Sequence, residues 1–155
     1  MTMRDPIMAI TISQPFASLI AEGTKWVENR TWYTAYRGPL AIHAGRGTQY
    51  LSPLRLAAYP TGKVLAIADL VACESLEQLR QRSFLGRIEG SQLLTVRDVL
   101  DHEHTEGPWC WILQNVRQIE PVAWAGRQGL WTFDRSLAVT QGRSHDTSTG
   151  ATATA

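Results

Sequence analysis

The residues best suited to chemistry lie close together near the N-terminus, within residues 23–30. Lys25, Glu28 and Arg30 supply an ammonium, a carboxylate and a guanidinium there. On a strand, Glu28 and Arg30 share one face, because they are two residues apart. Burying such charges is costly unless they pair or serve a ligand. The spacing therefore predicts that the three side chains converge in a cleft.

Two kinds of function fit these residues, and both stay open. Hydrolysing an acylated exocyclic amine without a metal needs a base, an oxyanion donor and an acid for the leaving amine. Glu28 suits the base, and Lys25 or Arg30 suits the oxyanion donor. Pure binding suits them equally: the cations contact phosphate, Trp26 or Trp32 stacks on a base, and Glu28 accepts from a cytosine N4 amine.

The elements that position these residues follow from their flanks. Ile10–Ile12 predicts a short strand, and Ser13 is expected to cap a helix with Pro15 in its first turn. Gly23 is expected to end that helix. Trp26–Trp32 then predicts a strand whose alternate residues place both tryptophans on the face of the carboxylate and the guanidinium.

Later segments predict more short strands than helices. Strands are expected at Leu40–Ala44, Lys63–Cys73, Pro108–Gln118 and within Val122–Phe133, and helices at Ser52–Ala58, Ser75–Arg82 (with Ser75 and Gln78 as a capping box) and Thr95–Leu100. This mixed order predicts an α+β fold, a small mixed β-barrel with flanking short helices. One domain is expected over residues 8–135, followed by a disordered tail over 136–155 that is poor in large apolar residues.

Composition narrows the classes of partner. A net charge of +1, from 15 basic and 14 acidic residues, excludes a strongly basic protein that coats nucleic acid without regard to sequence. Neither Cys73 nor Cys110 belongs to a Cys-x-x-Cys pair, and His102-x-His104 lacks a third ligand block, so no metal or cofactor is predicted. No apolar run reaches about 18 residues and no signal-peptide core is present, which favours a cytoplasmic protein without membrane contact. A monomer is the default expectation.

Several blocks of sequence together resemble the ASCH family. They are the run Gln14-Pro15-Phe16-Ala17-Ser18-Leu19-Ile20 followed by Gly23-x-Lys25-x-x-Glu28-x-Arg30, then residues 36–44, Pro60-x-Gly62-x-Val64, and Trp111-Ile112-Leu113 leading to residues 121–131. One such motif alone is weak, but four blocks in order, spanning roughly residues 8–134, make a whole-domain resemblance.

The resemblance implies a PUA-like barrel in which Lys25, Glu28 and Arg30 line a cleft that handles RNA or a modified nucleoside. One branch of the family resembles metal-free amidohydrolases that remove acyl groups from N4 of cytidine, using the motif lysine, a threonine and a glutamate from another segment. This chain departs from that branch, because Glu28 stands where the threonine is expected and Thr24 lies on the other side of Lys25. Another branch is linked to RNA cleavage.

The candidate residues each have a structural alternative. Lys25 and Glu28 are the catalytic candidates, and the ligand-binding candidates are Gly23, Thr24, Trp26, Arg30, Trp32, Arg37, His43 and Arg127. The structural alternative for Glu28 and Arg30 is an ion pair, and for Lys25 it is an exposed position in a turn. His43 also suits a packing role, Arg37 also suits fixing a turn, and Arg127 also suits closing the barrel.

The second catalytic carboxylate stays open among Glu74, Glu77, Glu89, Glu103 and Glu106. A third function that the sequence allows is a partner-binding module that regulates transcription or translation through protein contacts.

Overall fold

The computed structural model describes residues 2–141, and these form one curved sheet with short helices around it. The strands are Pro6–Ile12 (β1), Val27–Arg30 (β2), Gly38–Ala44 (β3), Lys63–Ser75 (β4), Trp109–Ala123 (β5) and Leu130–Asp134 (β6). The α-helices are Phe16–Ala21 (α1), Leu76–Gln81 (α2) and Val96–Asp101 (α3), and the 3-10 helices are Pro53–Ala58 and Arg135–Leu137.

The sheet has the strand order β2-β5-β4-β3-β1-β6. β1 pairs in parallel with β3 and antiparallel with β6, and the remaining neighbours are antiparallel. This arrangement confirms the predicted mixed α+β fold. Within residues 2–141 no ladder joins the edge strands β2 and β6, so the sheet is open and the predicted barrel closure is not observed.

The two long strands β4 and β5 pair irregularly. The register of β4 against β5 shifts at three places, between Val64 and Ala66, Ile67 and Asp69, and Leu70 and Ala72. Such bulges bend a strand and increase its twist. β4 is buried on both faces along most of its length, which explains why its sequence is an almost unbroken apolar run rather than an alternating one.

The start of α1 differs from the prediction. Ser13 makes no side-chain cap; the side chain of Gln14 does this work, since its Oε1 accepts from Ser18 N at 2.9 Å. Gln14 Nε2 also donates to Pro60 O at 2.8 Å, which ties the helix start to the turn before β4. A buried glutamine thereby satisfies a free N–H group of the first helical turn.

The predicted capping box at α2 is half formed, while a complete one occurs at α3. Ser75 Oγ accepts from Gln78 N at 3.4 Å. At α3 Thr95 and Asp98 form both reciprocal bonds, at 3.3 Å and 2.8 Å. Other predicted elements exist with shifted bounds: β1 and β5 are longer than expected, and residues 53–58 form an exposed 3-10 helix.

The strand that carries the charged motif is shorter than predicted, which overturns the expected arrangement of the tryptophans. β2 comprises Val27–Arg30, so both Trp26 and Trp32 lie outside it. Trp32 packs edge-on against buried Trp111, with ring centroids 4.8 Å apart. The two tryptophans therefore do not extend the strand face that carries Glu28 and Arg30.

The chain continues along the sheet beyond β6. Glu120 N donates to Val139 O at 2.8 Å, and Gln141 N donates to Gln118 O at 3.2 Å. Residues 142–155, most of the predicted tail, lie outside the described residues, so the domain bounds 8–135 and 136–155 remain predictions. Among residues 2–141, no helix is long and apolar enough to cross a membrane.

Candidate functional site

A tight turn delivers Lys25 to the site. Gly23 has φ +85°, a conformation that glycine adopts at little cost, and its N–H donates to Ile20 O at 3.0 Å. The chain then folds back, so that Lys25 N donates to Leu19 O at 3.1 Å. Gly23 and Thr24 are themselves exposed and do not line the cavity described below. Their contribution to the site is the turn.

Lys25 is buried, with 3% of its surface exposed. Its Nζ donates to Val27 O and lies 3.7 Å from Glu28 Oε1. The ammonium also lies 6.0 Å from the centre of the Phe16 ring. Burial lowers the pKa of Lys25 from its usual 10.5, although the negative charge of Glu28 opposes that shift. The lysine is therefore an internal group rather than an exposed turn residue.

The two carboxylate oxygens of Glu28 differ in their hydrogen bonds. Oε1 accepts from Asn29 N at 3.0 Å. Oε2 is buried and has no hydrogen-bond partner among residues 2–141; it lies 3.9 Å from Arg30 Nη2. Arg30 Nη2 is engaged with Thr11 O at 3.0 Å. The carboxylate thus keeps one acceptor oxygen without a hydrogen bond, and such groups are uncommon in protein interiors.

Asn29 fixes the wall opposite Lys25. Its Nδ2 donates to His104 O at 2.8 Å, and its Oδ1 accepts from the N–H groups of Glu106 and Gly107, both at 2.9 Å. These bonds join β2 to the segment before β5 and bring Glu106 to the cavity. The negative charge of Glu106 also opposes the lowering of the Lys25 pKa. Of the five carboxylates left open by the sequence, Glu106 is the one in this cavity.

These side chains surround a cavity of about 320 Å³, within the size range of small-ligand sites. It is lined by Thr11, Ile12, Ser13, Phe16, Lys25, Glu28, Asn29, Arg30, Tyr50, His104 and Glu106. Its aromatic groups are Phe16 and Tyr50, whose ring centroids are 5.4 Å apart at an angle of 63°. Tyr50 is 60% exposed and stands at the cavity mouth. The sequence offered no signal for Tyr50, which lies in a loop outside any motif.

Three other ligand-binding candidates lie away from this cavity. The Trp26 ring stacks against His102 with ring centroids 4.3 Å apart, and the backbone N–H of Trp26 donates to His102 Nε2 at 3.3 Å. Trp32 packs on the core, as described above. Arg37 Nη1 donates to Thr34 O and Tyr36 O, both at 2.8 Å. That pattern agrees with the turn-fixing alternative for Arg37.

His43 and Arg127 line a second cavity of about 500 Å³ on the other side of Thr11. Arg46, Gly126 and Gln128 contribute to it as well. For His43 and Arg127 the sequence left open a place in the Lys25 cleft or a structural role, and neither residue lines the Lys25 cavity. β1 stands between: the carbonyl of Thr11 binds Arg30, whereas its hydroxyl accepts from Trp131 Nε1 at 3.1 Å.

The two histidines before β5 pack ring against ring, and His104 Nε2 lies 3.4 Å from Glu103 Oε1. The rings of His102 and His104 lie 5.6 Å apart, and burial lowers the pKa of His102. In the part of the chain that the structure describes, no three His, Cys, Asp or Glu side chains are arranged to hold a metal ion. The expectation that the protein uses no metal remains a prediction.

Comparison with known families decides the relationship. Residues 10–123 match the model of the ASCH domain. The chain belongs to the ASCH family. The match includes the Gly23-x-Lys25-x-x-Glu28-x-Arg30 motif and the cavity built around it, and it ends at the C-terminus of β5.

Two curated relatives share part of this ASCH domain. Activating signal cointegrator 1 from Homo sapiens is 34% identical, over 47% of this chain and 15% of the relative. The protein of the same name from Mus musculus is 35% identical over the same shares. The chain thus spans about 15% of the length of these relatives, and their activities as whole proteins do not pass to it.

Solved structures share the fold of this ASCH domain. The crystal structure of ASCH from Zymomonas mobilis superposes with a TM-score of 0.50 and 19% identity, covering 83% of this chain and 88% of the other. A tyrosine-to-phenylalanine mutant of the Zymomonas mobilis protein superposes with a TM-score of 0.50 and 22% identity. The superposition covers 84% of this chain and 97% of the mutant chain. At these identities the likeness concerns the fold alone.

Proposed function

We propose that the cavity around Lys25, Glu28 and Arg30 binds a nucleobase, either of single-stranded RNA or of a modified nucleoside. The supporting fold is the bent sheet, which we interpret as the open counterpart of a PUA-like barrel. The observation that carries the proposal is Glu28 Oε2, a buried carboxylate oxygen in the cavity wall without a hydrogen-bond partner among residues 2–141.

A carboxylate in this position selects a ligand that donates a hydrogen bond. The exocyclic N4 amine of cytosine is such a donor, and pairing with Glu or Asp is its usual mode of recognition. Lys25 and Arg30 hold the Glu28 charge in place at 3.7 Å and 3.9 Å, so the acceptor is positioned before any ligand arrives. Cytosine and its N4 derivatives that keep an N–H group are therefore the favoured ligands.

The aromatic side chains of the cavity suit a flat ligand. Phe16 forms part of the wall beside Lys25, while Tyr50 is exposed at the mouth and free to lie over a bound ring. Stacking of a base on an aromatic side chain contributes about 1–3 kcal/mol per base. Tyr50 and Phe16 thus take the stacking role that the sequence assigned to Trp26 and Trp32.

Calorimetric titration with cytidine and uridine tests the proposal directly. Uridine carries a carbonyl where cytidine carries the N4 amine, so the two ligands differ at the group that faces Glu28 Oε2. We expect cytidine to bind about tenfold tighter, or more, because uridine leaves the buried carboxylate unpaired. Glu28→Gln is expected to abolish this preference, since an amide offers both a donor and an acceptor.

The control is Glu120→Gln, which removes an exposed carboxylate on β5 far from the cavity lining. It is expected to keep the preference of the wild type. Equal affinity for cytidine and uridine, or no binding of either, would count against the proposal. Because the preference is measured first on the wild type, a poorly folded Glu28 variant does not obscure the result.

A second candidate function is supported by the groups around Lys25. Its Nζ lies 3.7 Å from Glu28 Oε1, Glu106 lines the same cavity, and burial lowers the pKa of Lys25. This arrangement suits hydrolysis of N4-acylcytidine. Water adds to the acyl carbon, and the bond between the acyl carbon and N4 breaks. N4 receives a proton, so the products are cytidine and a carboxylic acid.

Incubation with N4-acetylcytidine, followed by mass spectrometry for cytidine and acetate, tests this activity. Turnover is expected to be lost in both Lys25→Ala and Glu28→Gln and retained in Glu120→Gln. No product at high protein concentration would exclude the hydrolase and leave the binding function standing.

A further inference from the structure

The second cavity contains a buried histidine with an unused acceptor. His43 is 1% exposed, and its Nε2 lies 2.7 Å from Trp124 O. Since a carbonyl oxygen only accepts, Nε2 carries the proton, and Nδ1 is therefore the acceptor nitrogen of a neutral ring. Nδ1 is buried and has no hydrogen-bond partner among residues 2–141.

The edge of the ring that carries Nδ1 faces the cavity wall at Gly126. A Cβ placed on Gly126 would lie 2.8 Å from His43 Nδ1 and 2.6 Å from both His43 Cε1 and Thr11 Oγ1. Only a glycine can pack this close to the edge of the ring. The backbone conformation does not require a glycine at position 126, because its φ lies outside the left-handed range. The close approach to His43 and Thr11 does require one.

Two arginines stand at the mouth of the same cavity. Arg46 and Arg127 are both exposed, and within residues 2–141 neither guanidinium forms an ion pair or a side-chain hydrogen bond. Arg46 lies across Gly62, where its Nε would be 3.2 Å from an added Cβ. These groups match the fork geometry that phosphate oxygens accept. The cavity thus combines a deep acceptor with two rim cations.

The second cavity lies directly beside the first. Thr11 lines both, with its carbonyl bound to Arg30 on one side and its hydroxyl beside His43 and Gly126 on the other. A single residue of β1 therefore separates the two. Both volumes, about 320 Å³ and about 500 Å³, fall in the range of small-ligand sites.

We propose that the second cavity binds the nucleotide adjacent, on the same strand, to the base held in the first cavity. His43 Nδ1 accepts a hydrogen bond from an N–H or O–H group of that nucleotide, and Arg46 and Arg127 bind its phosphate. This inference rests on the proposed function of the first cavity. It implies that the natural ligand is a strand and not a free nucleoside.

The test compares cytidine with an oligocytidylate of about six nucleotides, within the range that single-strand sites cover. Arg127→Ala and Arg46→Ala are each expected to weaken binding of the oligonucleotide about tenfold and to leave the affinity for cytidine unchanged. Each variant is also expected to lower the slope of log affinity against log salt by about 1. Arg80→Ala, which removes an exposed arginine of α2 that lines neither cavity, is the matched control.

The alternative outcomes are distinguishable. If the arginine variants bind the oligonucleotide as the wild type does while cytidine is still preferred over uridine, the second site is refuted and the first stands. If cytidine loses affinity as strongly as the oligonucleotide, the two cavities are not separate sites, and the inference fails. If neither ligand binds, both proposals fail.

A spectroscopic measurement tests the histidine separately. In nitrogen-15 NMR of the wild type, the signal of unprotonated His43 Nδ1 is expected to move when the oligonucleotide is added and to stay in place with cytidine. If the Nδ1 signal stays in place with both ligands although the oligonucleotide binds, His43 does not belong to the binding site. This readout requires no substitution of a buried residue.

Discussion

The two cavities beside Thr11 differ in how their polar groups are satisfied. In the first, Lys25, Glu28 and Arg30 compensate one another within 4 Å. In the second, His43 Nδ1 has no partner among the described residues, and the cations at the rim are exposed and unpaired there. The charges of the first cavity therefore compensate one another, although Glu28 Oε2 keeps an acceptor site without a hydrogen bond, whereas in the second cavity both the buried acceptor and the exposed cations have no partner within residues 2–141.

Because of this difference, substitutions at the two cavities are expected to affect folding stability and ligand binding to different degrees. Substitutions at the first cavity disturb buried charges that depend on one another, so they affect folding as well as ligand affinity. Substitutions at the rim of the second cavity remove exposed groups, and their effect is expected to fall on binding alone. Three measurements test this contrast, and they follow from the largest expected change to the smallest.

The largest effect is expected for Glu28→Gln. Removing the carboxylate leaves the buried Lys25 ammonium without its main compensating charge, and breaking a buried pair in this way costs about 3–5 kcal/mol. Urea denaturation followed by tryptophan fluorescence measures the change in the free energy of unfolding. Glu120→Gln is expected to stay within about 0.5 kcal/mol of the wild type. Equal stability of the two variants would mean that Glu28 does not hold Lys25.

An intermediate effect is expected for Gly126→Ala. The added methyl group would stand 2.6 Å from both Thr11 Oγ1 and His43 Cε1, and overpacking of this kind costs about 1–3 kcal/mol. The same methyl group closes the face of His43, so binding of the oligonucleotide should weaken. Gly47→Ala is the control, since its Cβ meets only the flexible end of Gln49. Matching melting temperatures for the two variants would show that the space at Gly126 is not tight.

The smallest effect concerns pH. Burial, with a smaller contribution from Arg46, lowers the pKa of His43 below its usual 6.5. Between that lowered value and 6.5 the unfolded chain binds more protons, so the free energy of unfolding should fall as the pH decreases through this window. An NMR titration of His43 measures the midpoint directly. A midpoint at or above 6.5 would contradict a buried neutral ring.

The sequence predicted the elements that local pattern controls. The apolar run of β4, the helix that follows Thr95 and the turn at Gly23 each follow from neighbouring residues, and so does the placement of Lys25 next to Glu28. The mixed α+β class followed from the order of these elements. The ASCH resemblance is confirmed by the family match over residues 10–123.

What the sequence missed depends on contacts between distant segments. Tyr50, His104 and Glu106 reach the first cavity from two different loops, and Asn29 fixes the second of these through bonds 75 to 78 residues apart in the chain. No local periodicity encodes such contacts. The tryptophans were misplaced for a related reason: the strand ends at Arg30, so alternation no longer applies at Trp32.

The position of β1 between β3 and β6 has a consequence for how the protein acquires its shape during synthesis. The antiparallel neighbour of β1, β6, leaves the ribosome more than a hundred residues after β1. Pairings of such long sequence separation form slowly. Until Leu130–Asp134 is available, one edge of β1 stays open to chance association, and the wall shared by both cavities is incomplete.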